Sequence, residues 1–161
     1  MTSFVNDTDL DAIEVRWRDE PTGHLHSNAT ISLGDDEACR TLEAFLEVGN
    51  EWDDLGLMVA CIASRRSVST DFRGVTFASD YFGRSGHIYL SDGTEETIEV
   101  SEAAGLRLIS RWLNVLADGA EQEQLEITSG PSWDDFLRDM EAIQRSAPLL
   151  ESDVSDDLPG C

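Results

Sequence analysis

The sequence predicts an α+β fold: a mainly antiparallel sheet of hairpins and a meander, with about three helices packed on one face. Three observations carry this reading. Several short stretches alternate apolar with polar residues and end in turn chemistry, and three longer ones space their apolar residues for a helix. One continuous segment, His87 to Gly119, joins the two patterns.

Within that segment a three-residue loop, Ser91-Asp92-Gly93, is expected to set Ile88 and Leu90 on the same face as Ile98 and Val100, with Gly93 left-handed. A helix follows, with Ser101 as N-cap, Glu102 in the positive first turn and Gly119 just past its end. Leu106, Leu108, Ile109, Trp112, Leu113, Val115 and Leu116 cover one half of this cylinder. Arg107 and Arg111 stand one turn apart on the other half, where nearby acids are expected to pair with them.

Taken in order, residues 1–10 read as a flexible or loosely docked start. Residues 11–147 read as a single domain. Ile13, Val15 and Trp17 alternate with Glu14, Arg16 and Arg18, and after a Pro21/Gly23 turn Leu25, Ser27, Ala29, Ile31 and Leu33 return on the inward side. The next helix starts at the acids 35–37 and runs to Gly49-Asn50, burying Ala38, Cys39, Leu42, Phe45 and Leu46. Leu57 to Ala63 reads as a buried central strand, in competition with a helical stripe of Trp52, Leu55, Met58, Val59 and Ile62. Strands containing Val68, Thr70 and Phe72, then Val75 and Phe77, continue the meander, and Gln124 to Thr128 reads as another short strand. Trp133, Phe136, Leu137, Met140 and Ile143 define a last helix that begins at Ser132 and stops at Pro148. Residues 148–161 form an acidic tail, expected to be disordered in the free protein.

The charge is the most unusual property of the chain. Thirty-three acids against 11 basic residues give a net charge of −22, and the basic residues are all arginine. Such a field repels phosphates and anionic lipid and favours basic partners, so direct nucleic-acid or membrane binding is not expected. The absence of lysine is consistent with the codon bias of a GC-rich genome. Between Ile62 and Leu90 the balance reverses, with Arg65, Arg66, Arg73 and Arg84 against Asp71 and Asp80, which predicts a locally basic surface unless these arginines pair with carboxylates. Three unpatterned cysteines and no apolar leader at the N-terminus point to a cytoplasmic protein.

Catalytic constellations are scarce. His24 and His26, alternate residues on one strand face, are weak candidate metal ligands with His87 as a third, and Arg16 and Arg18 on the paired strand disfavour a cation there. The paired acids carry no flanking apolar residues that would make a dry acid/base site, and nucleophile-elbow and phosphate-loop motifs are missing. No cofactor is implied. Trp52 and Trp133 each begin an apolar stripe beside a double acid, an arrangement that serves either as a buried anchor or as an aromatic contact ringed by carboxylates.

The function expected from this pattern is not enzymatic. It is an acidic cytoplasmic protein that binds and neutralises a basic partner enzyme, toxin-like or nuclease-like, by covering its cleft, in the manner of an immunity or antidefence protein. Expected contact residues, chosen as acidic or aromatic positions in exposed loops, are Asp53, Asp54, Asp80, Tyr81, Asp92, Glu95 and Glu96. Two alternatives remain open: a halophile-adapted housekeeping or adaptor domain, and a small metal-dependent enzyme using His24 and His26.

Overall fold

The computed structural model describes residues 2–18, 26–30, 36–48, 52–78, 85–129 and 131–157. In chain order these form β1 (Thr2–Phe4), α1 (Asp7–Asp11), β2 (Glu14–Arg18), β3 (His26–Thr30), α2 (Asp36–Leu46) and α3 (Trp52–Ala63). There follow β4 (Val68–Ser69), β5 (Gly74–Phe77), β6 (His87–Ser91), β7 (Thr97–Ser101), α4 (Glu102–Gln122), a 3₁₀ turn (Glu126–Ser129) and α5 (Pro131–Asp157).

Alternation in residues 87–101 builds the centre of the sheet. Ile88 faces Val100 and Leu90 faces Ile98 across β6 and β7, and all four are buried. The connecting loop spans Asp92–Glu96, not the three residues expected, because Ser91 already pairs with Thr97. Asp92 Oδ1 accepts the Thr94 N–H at 3.0 Å and its hydroxyl at 2.5 Å, a side-chain turn that takes up the extra residues. Gly93 has the expected positive φ of 87°, and a Cβ there would sit 2.6 Å from the Asp71 carbonyl oxygen.

The sheet order is β1-β7-β6-β5-β4, antiparallel except for β1, which runs parallel to β7. Residues 2–11 are therefore not a loose start. Val5 donates its N–H to the Glu99 carbonyl at 3.0 Å, Asn6 caps α1 through Asp9, and Val5 and Leu10 are buried. Arg107 and Arg111 hold α1 down by pairing with Asp11, a partner distant in sequence. Burial lowers the Arg111 guanidinium from its ordinary value; Asp11 raises it and Arg107 lowers it further.

The other hairpin, β2–β3, forms its own two-stranded sheet, with Val15 opposite Ala29 and Trp17 opposite Ser27. It packs on α4 through Trp17. Gly119 is a notch for that ring: an added Cβ would lie 2.2 Å from Trp17 carbons. It does not end α4. That helix closes with Gln124 at φ 54°, where Gln124 N–H reaches Glu121 O and Leu125 N–H reaches Ala120 O.

Among the described residues there are five α-helices where about three were expected. Helices α2, α3 and α4 contact the sheet, while α5 packs on α4 and α3. Leu57–Ala63 is not a strand. The competing stripe won: Leu55, Met58, Val59 and Ile62 are buried at i, i+3, i+4 and i+7, and Leu57 is 56% exposed. Asp53 and Asp54 favour the helix start. Gln124–Thr128 likewise contains no strand, since Glu126–Ser129 is a 3₁₀ turn in which Thr128 bonds back to Leu125. Helix α5 passes through Pro148 to Asp157, so most of the expected tail is helical. Pro148 removes one i→i−4 bond, but Ala147, Leu149, Leu150 and Glu151 around it favour helix. No helix among the described residues is long and apolar enough to cross a membrane.

The deepest polar group is Arg73, 1% exposed, on the turn before β5. Its Nε–H donates to the Phe45 carbonyl at 2.9 Å, an Nη2–H donates to the Glu47 carbonyl, and its guanidinium lies 5.5 Å from the Trp112 ring. Trp112 Nε1–H donates to the intervening Leu46 carbonyl at 2.8 Å. The carboxyl end of α2, which has no basic residue in its last turn, is thus capped from another part of the chain. Arg73 consequently adds nothing to the basic surface expected for 62–90, and Arg65 is engaged with Glu102 at 2.5 Å.

Two predictions follow from this packing. Arg73→Met should lower the free energy of unfolding by about 3 kcal/mol or more, because it strands buried carbonyls and leaves the ring contact unpaired. Urea titration monitored by circular dichroism checks it. Gly119→Ala, favourable in a free helix, should cost about 1–3 kcal/mol here because the methyl must displace the Trp17 ring. A midpoint at or above that of the parent would show that the notch is not needed.

Candidate functional site

Helices α3 and α5 lie side by side, and between them runs an open groove of about 630 Å³. Helix α3 contributes the stripe Trp52, Gly56 and Ala60, spaced i, i+4 and i+8 on one face. Small residues at 56 and 60 leave the channel unfilled. Helix α5 contributes Ser132, Phe136 and Asp139 along its own face, with Trp133 and Asp135 beside them, and Ile127 of the 3₁₀ turn closes one side.

The aromatic wall is a cluster of three rings. Trp133 and Phe136 stack at 5.1 Å, and Trp52 meets both edge-on at 5.9 and 5.8 Å. Trp133 and Phe136 are buried and Trp52 is half-buried. The Trp52 indole N–H is buried without an acceptor among the described residues. Three carboxylates, Asp53, Asp135 and Asp139, line the groove against one guanidinium, Arg138, which pairs with Asp135. The lining is therefore apolar at its wall and net acidic at its edge.

The two Trp-Asp-Asp triplets thus converge. Trp52 and Asp53 of one, and Trp133 and Asp135 of the other, line the same groove, whereas Asp54 and Asp134 do not. Of the expected contact residues, Asp53 is in the groove and Asp54 is half-buried on α3. Asp92, Glu95 and Glu96 share the β6–β7 loop, where Asp92 is occupied in building the turn. Asp80 and Tyr81 lie outside the described residues. Gly56, Ala60, Phe136 and Asp139 were not singled out for contact from the sequence. Their signal was present in the helical spacing, and it is legible only once 52–63 is read as a helix.

The histidines are not assembled into a site in the described structure. His24 lies outside the described residues, and His26 is on β3 in register with Arg18. His87 belongs to the larger sheet, its Nδ1 3.5 Å from Glu99 Oε2, while Glu99 Oε1 accepts the Tyr89 hydroxyl at 2.9 Å. Among the described residues no group of three histidine, cysteine or acidic side chains is arranged to hold a metal ion. Cys39 and Cys61 are half-buried, so Cys39 is not the fully buried core residue its position on the α2 stripe predicts. No protein-family model matches the chain, and neither a curated protein nor a solved structure is significantly similar to it.

Gly56 provides a direct check of the groove's openness. A Cβ at 56 would meet nothing within 4 Å, unlike at Gly105 and Gly119, where neighbouring side chains intrude. Gly56→Ala should therefore stabilise the protein by about 0.5–1 kcal/mol, read as a higher urea midpoint at unchanged m-value. A lower midpoint would mean that the space is filled.

Proposed function

We propose that this protein is an acidic binding protein that engages and inhibits a basic partner enzyme, in the manner of an immunity or antidefence protein. The observation that carries the reading is the groove: an aromatic cluster edged by Asp53, Asp135 and Asp139, on a chain of net charge −22. Apolar contact beside exposed charge is what a tight protein interface uses, the first for residence time and the second for encounter rate, and half-buried Trp52 with exposed Leu57 offers the apolar part here. Long-range attraction of this size speeds association with a basic surface and excludes polyanions. The β6–β7 loop, with Asp92, Glu95 and Glu96, offers a second acidic edge.

The test is capture of a basic protein from lysate of the source organism, followed by assay of its activity with and without this protein. Stoichiometric loss of that activity, and association slowed about tenfold or more between low and physiological salt, is the expected outcome. A captured partner that keeps full activity would refute inhibition. A melting series in KCl discriminates the halophile alternative: stability that keeps rising to molar salt, with no partner captured, supports a domain whose charge serves solvation.

A further inference from the structure

Helical glycines in this protein fall into two kinds. Gly105 and Gly119 are demanded from within, since added Cβ atoms would stand 2.5 Å from Ile88 and 2.2 Å from Trp17. Gly56 is not: it sits in the middle of α3 with open space where its side chain would be. A mid-helix glycine costs about 1 kcal/mol relative to alanine. No internal contact offsets that cost, so the room it leaves faces an external occupant.

The groove's own dimensions describe that occupant. From Trp52 to Ala60 the stripe is about 12 Å long at 1.5 Å per residue, roughly two turns of helix. Small residues at 56 and 60 let a backbone come close, and exposed Leu57 widens the apolar shelf beside them. Asp53 lies beside Trp52 at the α3 end, and Asp139 lies on the α5 side. Cations on the occupant are therefore favoured along both margins. A second copy of this chain is disfavoured, because it would bring more negative charge to the same acidic rim.

We infer that the groove is the docking site for an amphipathic helical segment of a partner protein, with an apolar stripe seated over Gly56 and Ala60 and flanking arginines or lysines paired with Asp53 and Asp139. This rests on the binding function proposed above and names the part of the partner that is read. Two helices receiving a third in this way is helix-in-groove recognition, with affinity from the apolar stripe and selection from the charges beside it. The occupant also brings polar groups near the Trp52 N–H, which has no acceptor among the described residues.

The test uses the full chain and a labelled amphipathic peptide about four turns long, leucine on one stripe and arginine on its flanks. Two analogues accompany it, one with glutamate for each arginine and one with serine for each leucine. Anisotropy should show the leucine–arginine peptide binding about tenfold or more tightly than either analogue. Gly56→Leu should weaken it about tenfold or more while melting at or above the parent temperature, so that lost binding is not lost folding. Asp53→Asn with Asp139→Asn should weaken binding and flatten its salt dependence, and the charge-matched control Asp118→Asn with Glu121→Gln should leave it unchanged.

Undiminished binding to Gly56→Leu would overturn the groove as the site, as would equal binding of the serine analogue. So would a dimer, seen by sedimentation, that Gly56→Leu dissociates. Failure here is separable from failure of the inhibitor reading. A partner still captured and inhibited by Gly56→Leu leaves that reading standing without the groove, whereas peptide binding in the absence of any inhibited partner leaves the groove standing without the inhibitor.

Discussion

The carboxyl end of α2 is the point on which the layers of this protein depend. Three successive carbonyls, of Phe45, Leu46 and Glu47, are taken by Arg73, Trp112 and Arg73 respectively. Each donor comes from a different part of the chain: Arg73 leads into β5 of the sheet, and Trp112 lies at the middle of α4. A helix end needs its carbonyls satisfied and prefers positive charge, and α2 has no basic residue in its own last turn. Fulfilling that need from outside locks helix, sheet and second helix into one arrangement. The groove inherits this rigidity, because α5 rests on α4 and α3 touches both β5 and α5.

Burying one of so few cations in a chain this acidic sharpens the electrostatic contrast. Arg73 is inside, and Arg65, Arg107, Arg111 and Arg138 are each engaged with Glu102, Asp11 or Asp135. These arginines serve the fold, tying α1 to α4 and the end of α3 to the start of α4. Burial takes Arg73 out of the segment that is basic in sequence, while Arg65 and Arg66 stay exposed, since position in three dimensions decides whether a charge is seen from solution.

The hairpins were legible because a period of two leaves little choice. Every register of the right parity puts Ile88, Leu90, Ile98 and Val100 on one face, and Val15 and Trp17 likewise share one face of β2. Loop length was less so, because Asp92 builds a turn through its own side chain. For 57–63 the local composition, an unbroken apolar run, fits strand and helix equally, and burial of the whole Leu55–Ile62 stripe decided it. Gly119 shows the opposite failure: a glycine at a plausible helix end was there for the ring of Trp17, a contact about a hundred residues distant. Of the candidate site only Asp53 was expected as a contact, and the two Trp-Asp-Asp triplets were visible merely as the openings of two apolar stripes. Their convergence was not, since nothing in either triplet records that α3 and α5 pack together.

On the proposed reading, the acidity and the groove would do different work in recognition. Charge alone attracts any basic surface and holds none of them well at physiological salt, where the field fades within about 8 Å. An aromatic groove alone would bind apolar segments with little regard to sign, and its exposed edge would be an aggregation hazard. Placed together, each restrains the other. Carboxylates at the rim keep the groove wetted and soluble, repel other copies of the chain and select cationic partners. Half-buried Trp52 and exposed Leu57 would supply the apolar contact area that slows departure. Asp53 and Asp135, adjoining or near their tryptophans in sequence, set a carboxylate beside an indole on one turn of each helix.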